Sequence, residues 1–556
     1  MKYLLWVLPI LLVLTFPTFG QRPINSLPKN YFQSPLSIPL RIISNFGSFR
    51  ENHFHSGLDL NTGGKEGLAV LASGPGYISR IKIQSGGYGK AIYITHPNGW
   101  VSVYAHLNRF SPKIEEKIDS IQTQSQVFEL DIHFQKGVIP IEKGEKIALS
   151  GNTGNTGGPH LHFEIRDEKS EEIYNPLLFG LPIKDEIPPK ILGIYLYQAN
   201  LNSLNSYIKI AFVPCIKGKL RGTFPRLSLN QPYFLGIIAE DYSFGAKYPG
   251  TNYSIQLIQE KEIIFSSEMS HFGFDQTRSI NSYLDYEPFK FHHQKIQRLL
   301  IEPNNPLKIY NSSDNHWILS KSKRIQSYKI EIGDAYDNHT FLDFSLQFEK
   351  DFSALPNPIG KEKILVWNQS YFLGSDHLNL FIPANSFFDN IPMPKIQFSG
   401  NQVMIGNPLI PVKDSMLLEI ELAKSKFKKQ YYLSKDMKAL EGNSNSDSLR
   451  VWIKEFGNYT LKIDSIKPYV HWEILSKNPS IKPSQEYYFK IGDHESGLKY
   501  YSLYLDGIWT KLEYDSKFHS AHFIIPKGLK NGKHELKIKL QDQVENQLEE
   551  KLFLYY

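Results

Sequence analysis

The sequence predicts a mainly β protein, with a glycine-punctuated N-terminal domain followed by several β-sandwich, Ig-like modules. Three observations carry this. The 556 residues include 35 Phe and 32 Tyr, together with abundant Ile, residue types that fit a pleated, half-buried surface. Short apolar runs bounded by Gly, Pro and Asn recur along the whole chain. Long amphipathic helical patterns are scarce. The length suggests roughly three to five domains, and 41% hydrophobic against 21% charged residues suits packed cores rather than disorder.

The chain opens MKYLLWVLPILLVLTFPTFG, residues 1–20. One Lys precedes an apolar core from Leu4 to Phe16, and small or polar residues follow, the pattern of a signal peptide with Gln21 as the mature start. The alternative is an uncleaved anchor, for which a 13-residue core is short. No second apolar stretch is long enough to cross a bilayer, so no transmembrane segment is expected after cleavage. The expected location is the periplasm or cell envelope, with secretion as the alternative. The single cysteine, Cys215, excludes an intrachain disulfide framework, and no Cys near residue 20 can carry a lipid. A net charge of +6 without a basic run argues against nucleic acid as a partner.

Residues 21–184 hold most of the glycine-punctuated strands. LAVLASGPGYISRIKI (68–83) and KAIYITHPNGWVSVYAHL (90–107) read as strand–turn–strand units, with turns at Gly74-Pro75-Gly76 and Pro97-Asn98-Gly99. IEKGEKIALSGNTG (141–154) continues the style. Between them, Ser111 and Pro112 read as N-cap and first turn of a short helix, with Ile114, Ile118 and Ile121 at helical spacing, followed by one or two strands. DEIPPK (185–190) and DSIKPY (464–469) mark boundaries alike, since proline sets an extended entry into a strand. They divide the rest into a β-sandwich module at 185–350, a β module of uncertain type at 351–463 and an Ig-like sandwich at 464–556. Asp506-Gly507 and Asn531-Gly532 read as hairpin turns. A weak repeat links the first and last modules. IEIGDAYDN (330–338) matches IKLQDQVEN (538–546), and Asp241 and Asp493 each begin D-x3-G. Two related sandwiches, the first carrying an insertion, explain it, although Asp, Gly and Asn are also common turn residues.

Within the N-terminal domain, GGPHLHFEI (157–165) places His160 and His162 on one face of a strand, roughly 6–7 Å apart. That spacing suits one metal ligand beside one general base, and equally two surface histidines. With 18 His in the chain, an HxH pair arises about once by chance, and His53 and His55 form a second. Partners decide the matter. HFHSGLD sets His55 and Asp59 four apart, and VYAHL supplies His106. Four His and one Asp, each beside a β segment or turn, can be divided into three zinc ligands, as a catalytic site with an open position requires, and two groups that move protons near neutral pH. Chemistry alone does not say which are which.

FHSGLDL, YAHL and SGNTGNTGGPHLHFEI, in this order, resemble the lysostaphin/LytM-type zinc metalloendopeptidases. The similarity covers about residues 40–167. It implies the duplicated-hybrid-motif fold, a compact antiparallel β structure, and hydrolysis of peptide bonds in peptidoglycan stems and cross-links. It implies Zn²⁺ held by His55, Asp59 and His162, with His106 and His160 assisting catalysis. One departure is a segment inserted at 111–138, which is expected to border the groove or occlude it, with Glu115, Glu116, Asp119, Glu129 and Asp131 read as a solvated face. Of the other histidines, His53 is expected to face away from His55, His96 to lie in a surface turn and His292 and His293 to point to opposite faces. His133 sits in the insert, within possible reach of the groove. The expected partner is a peptidoglycan peptide, with the β modules at 185–556 positioning the enzyme or binding an envelope protein. The alternatives are a non-catalytic regulator of other wall hydrolases on the same fold, and an adhesion or scaffold protein.

Overall fold

The computed structural model describes residues 24–199, 207–229, 231–242, 249–311, 317–318, 320, 322, 324–349, 363–422, 430–445, 447–472, 480–482 and 484–556. The expected signal segment 1–20 and mature start Gln21 lie outside the described residues, as does Gly245 of the first D-x3-G.

The chain is mainly β. In the N-terminal domain the strands Ile42–Ser44, Leu58–Asn61, His160–Asp167, Trp100–Phe110, Lys90–Thr95, Gly76–Ile83 and Pro140–Ile141 lie side by side in that order. The central strand His160–Asp167 is buried along nearly its whole length. Its alternate residues Leu161, Phe163 and Ile165 are fully buried against Leu58, Leu60 and Tyr104, so both its neighbours and its core face fix its register. The inserted helix runs Pro112–Ser125, with Ser111 in extended N-cap geometry and Pro112 in the first turn. Ile114 and Ile118 are its buried stripe, and Leu130–His133 follows as a strand that pairs with Gly76–Ile83.

Several local expectations change. His96 is 2% exposed, not on a surface turn, because its two ring nitrogens are taken up internally by Pro75 O and Ser102 Oγ, each at 2.8 Å. The acidic residues of the insert are not simply solvated. Lys511 Nζ meets Glu115 Oε1 at 3.3 Å and Asp119 Oδ1 at 2.5 Å, Glu129 accepts from Tyr501 Oη, and Asp131 pairs with Arg80; Glu116 is exposed. His292 and His293 lie at the end of a helix, Tyr286–His292, not on a strand. Asp506-Gly507 is the expected two-residue hairpin, with Leu505 opposite Ile508 and both central residues at positive φ. Asn531-Gly532 is not a hairpin, since the strands on either side, Ser520–Ile524 and Lys533–Asp542, belong to different sheets.

The first and last modules share a topology. In the first, Lys190–Ala199, Tyr233–Glu240 and Gln297–Arg298 pair in sequence, facing a sheet ordered His339–Glu349, Ile325–Gly333, Ser254–Gln259, Glu262–Glu268. In the last, Tyr469–His471, Glu486–Gly492 and Ser520–Ile524 face Gln547–Tyr555, Lys533–Asp542, Leu498–Leu505, Ile508–Thr510 in the same arrangement. Each pair of sheets encloses one apolar core. The extra chain of the first module, near residues 269–311, turns to the N-terminal domain. Ile173–Tyr174 pairs with His271–Phe272, and Phe272, Ile280, Tyr283 and Leu284 are buried in that domain's core. The described residues between 363 and 463 form two further five-stranded sheets around a core of their own.

Candidate metal centre

Strand register brings the sequence-distant motifs together. His162 lies directly opposite Asp59 on one side and Ala105 on the other, and paired residues of an antiparallel ladder share a face. Alternation from Ala105 would send His106 to the opposite face. A register shift in this strand and a left-handed backbone at His106, φ 59°, break the alternation and turn the ring towards His160, with centroids 4.8 Å apart. A non-glycine residue in that region is uncommon and typical of functional sites. Gly57 is also forced. A Cβ there would lie 2.4 Å from Phe163 O and 3.0 Å from His162 Cε1, so only glycine lets the two strands approach.

Three donor atoms converge. His55 Nε2 lies 3.0 Å from Asp59 Oδ1 and 3.1 Å from His162 Nδ1, and His162 Nδ1 lies 3.0 Å from Asp59 Oδ1. Donors held about 2.0–2.1 Å from one zinc ion in a tetrahedron stand about 3.3 Å apart, so this triangle fits that ion, and nitrogen with carboxylate oxygen suits its chemistry. The far side of each donor is fixed. His55 Nδ1 is bonded to Asn45 O at 2.9 Å, and Asp59 Oδ2 accepts from Arg50 at 3.1 Å. His162 Nε2 faces Glu164 Oε1 at 2.9 Å. Burial raises the Asp59 carboxyl, but His55, His160 and His162 outweigh it and hold it well below the usual range. Burial likewise works against the charged form of His162, yet Asp59 and Glu164 push it up to about 9, the mark of a strongly basic imidazole.

The two remaining histidines flank this triangle. His160 Nδ1 is bonded to Gly158 O at 2.8 Å, and its Nε2 faces Asp59 Oδ1 at 3.3 Å. His106 Nδ1 is bonded to Thr153 O at 2.8 Å, which leaves Nε2 as its remaining ring nitrogen. Burial, with the His162 and His160 rings beside it, lowers His106 to about 3. A neutral imidazole with an open nitrogen is a proton acceptor.

Residues 53–128 match the profile of "Peptidase family M23", and residues 362–464 that of a "Zu5-like domain". The N-terminal domain is an M23 domain of the lysostaphin/LytM type. An uncharacterized metalloprotease of Haemophilus influenzae is 29% identical over 163 residues, 28% of this chain and 29% of its own length. The DD-carboxypeptidase/endopeptidase Mpg of Neisseria meningitidis is 35% identical over 128 residues, 23% of each chain. The chain thus spans about a quarter of the length of these relatives. A zinc-containing peptidase from Vibrio cholerae of known structure overlaps 25% of this chain and 38% of its own at 26% identity, with a TM-score of 0.19.

The M23 domain also contains partners that the motifs did not reveal. Glu164 is fully buried and accepts from His162, from Tyr88 Oη and, at 2.6 Å, from Arg166 Nε. Burial would raise its carboxyl, but Arg166 and His162 hold it well below the usual range. It thus stays ionised and orients the imidazole, as carboxylates behind metal-binding histidines do. The signal was present in the sequence, since Glu164 stands two residues after His162 and strand alternation sends both to one face. Asn45 and Arg50 had no such signal, because nothing in their local pattern relates them to His55 or Asp59. His53 is exposed and bonded to Glu51 O, and His133 lies opposite Arg80 at the insert; neither joins the site.

Proposed function

We propose that this chain is an exported zinc metalloendopeptidase that hydrolyses peptide bonds in peptidoglycan stems or cross-links. The observation that carries the reading is the convergence of His55 Nε2, Asp59 Oδ1 and His162 Nδ1 within 3.1 Å of one another, with the His106 and His160 imidazoles beside them. His55, Asp59 and His162 hold the ion, and Lewis acidity towards water and the scissile carbonyl is what zinc supplies there. One of His106 and His160 offers Nε2 to the attacking water, takes its proton and returns it to the leaving amine, while the other assists the developing oxyanion. The first 20 residues act as the signal, residues 21–184 are the catalytic domain, and the modules at 185–350, 351–463 and 464–556 position it in the envelope or engage an envelope protein.

The test is a digest of purified sacculi by residues 21–556 with zinc, read by mass spectrometry of the muropeptides. New amino termini, absent with His162→Ala, are expected. Intact sacculi under conditions where a lysostaphin/LytM-type enzyme cleaves would favour the regulator. A scaffold role would leave cell-envelope function untouched by His162→Ala.

A further inference from the structure

Outside the M23 site, the first and last β modules each gather three aspartates, all buried in the first and with Asp493 half-buried in the last. Asp185, Asp241 and Asp334 each direct a carboxylate oxygen into one cluster, and Asp464, Asp493 and Asp542 into the other; within each, the three oxygens lie within 4.8 Å of one another. The clusters occupy equivalent places. The first aspartate stands five residues before the opening strand, which begins at Lys190 or Tyr469, the second directly follows Glu240 or Gly492, and the third closes the strand ending at Gly333 or Asp542. Local bonding repeats as well. Asn338 Nδ2 donates to Asp334 Oδ2 at 2.7 Å and to Asp185 O at 3.1 Å. Asn546 Nδ2 does the same to Asp542 Oδ2 and Asp464 O at 2.7 and 3.1 Å.

These bonds build the turns but leave oxygens over. Asp241 is 4% exposed, and among the described residues its Oδ1 is buried with no hydrogen-bond partner; the same holds for Asp493 Oδ1 and for Tyr336 Oη. In the first cluster these groups line a cavity of ≈10 Å³ with Asp185 and Asp334. A buried carboxylate oxygen without donor or cation is costly. The charges acting on Asp241 and on Asp542 are the carboxylates of their own clusters. We propose that each cluster is a site for a divalent cation of the calcium type.

The donor set is oxygen only, with neither imidazole nor thiolate, which selects a hard cation over zinc. Magnesium keeps several of its waters, and the cavity at the first cluster, with room for about one water, does not accommodate them. Both sites sit where a module meets the chain before it. Gly250 N donates to Asp241 O at 2.6 Å, and the next residue, Thr251, exchanges hydrogen bonds with the Asn45 side chain of the M23 domain. At the second site, Asp464 N donates to Gln430 O, and Gln430 Nε2 donates to Asn546 Oδ1 at 2.7 Å. A cation in each therefore fastens a module to its predecessor.

The test uses zinc-loaded residues 21–556, freed of other cations and titrated with calcium in a calorimeter, with melting temperature followed in parallel. Two calcium ions per chain and a rise in melting temperature are expected, with magnesium weaker. Asp241→Asn and Asp493→Asn should each leave one calcium, and the double variant none, with zinc content unchanged. No binding up to about 10 mM calcium, above the range of extracellular calcium modules, would overturn the proposal, as would full binding by the double variant. Variants more stable than the native chain, in a protein whose melting calcium does not move, would mean the carboxylates merely share a proton, and the proposal falls. If a variant does not fold, the native stoichiometry still decides, and fewer than two equivalents refutes it.

Discussion

His162 sets the terms at the scale of single residues. Its Nδ1 joins the donor triangle and its Nε2 is held by Glu164, so one ring links the proposed metal to a buried carboxylate. His162→Ala should lose zinc and activity together, whereas His106→Ala and His160→Ala should keep zinc, measured by atomic emission, and lose about 10²–10⁴-fold in rate. Glu164→Gln keeps the shape and removes the charge. It should lower zinc affinity about 10–100-fold, read by competition with a chelator. The five motif residues were legible from their order along the chain and the family resemblance that this order carries, since the spacing of histidine and aspartate alone suited surface residues equally well. Asn45 was not, because it acts through a backbone carbonyl that any residue type possesses.

Among the elements, the inserted helix was legible from Ser111-Pro112 and its isoleucine spacing, because capping and periodicity are local signals. What its acidic side faces was not legible, since Lys511 and Tyr501 lie nearly four hundred residues away. The THPNG turn failed for a related reason. The turn does lie between paired strands, with Thr95 opposite Val101, but the fate of its histidine depends on Pro75 and Ser102. Burial lowers His96 to about 4. The unfolded chain, with an ordinary histidine near 6.5, then binds more protons than the folded one between those values, so stability falls as pH drops from about 6.5 to about 4. The shift corresponds to roughly 3 kcal/mol at most. Melting curves across this range should slope less steeply for His96→Gln than for the native chain, and equal slopes would show that the ring does not stay neutral in the fold.

For the molecule as a whole, the last module is not a free appendage. It returns to the M23 domain, where Glu513 Oε2 meets Lys90 Nζ at 2.7 Å, Ser516 Oγ donates to Ser85 O at 3.0 Å and Lys517 Nζ donates to Asn152 O. Lys90 is 6% exposed, and this pair, with the bonds to Lys511, holds the module in place. Asn152 precedes Thr153, whose carbonyl fixes His106 Nδ1 and whose hydroxyl accepts from Lys90 N. The docked module therefore braces the loop that orients one proposed proton carrier, while His55, Asp59 and His162 are braced from elsewhere. Undocking should consequently separate catalysis from metal binding. Glu513→Lys with Lys517→Glu places like charge against Lys90 and removes the bond to Asn152. This variant should keep its zinc, melt at a lower temperature and lose up to about 10²-fold in turnover through misplacement of His106. Loss of zinc in parallel with turnover would instead mean that the module supports the donor triangle itself.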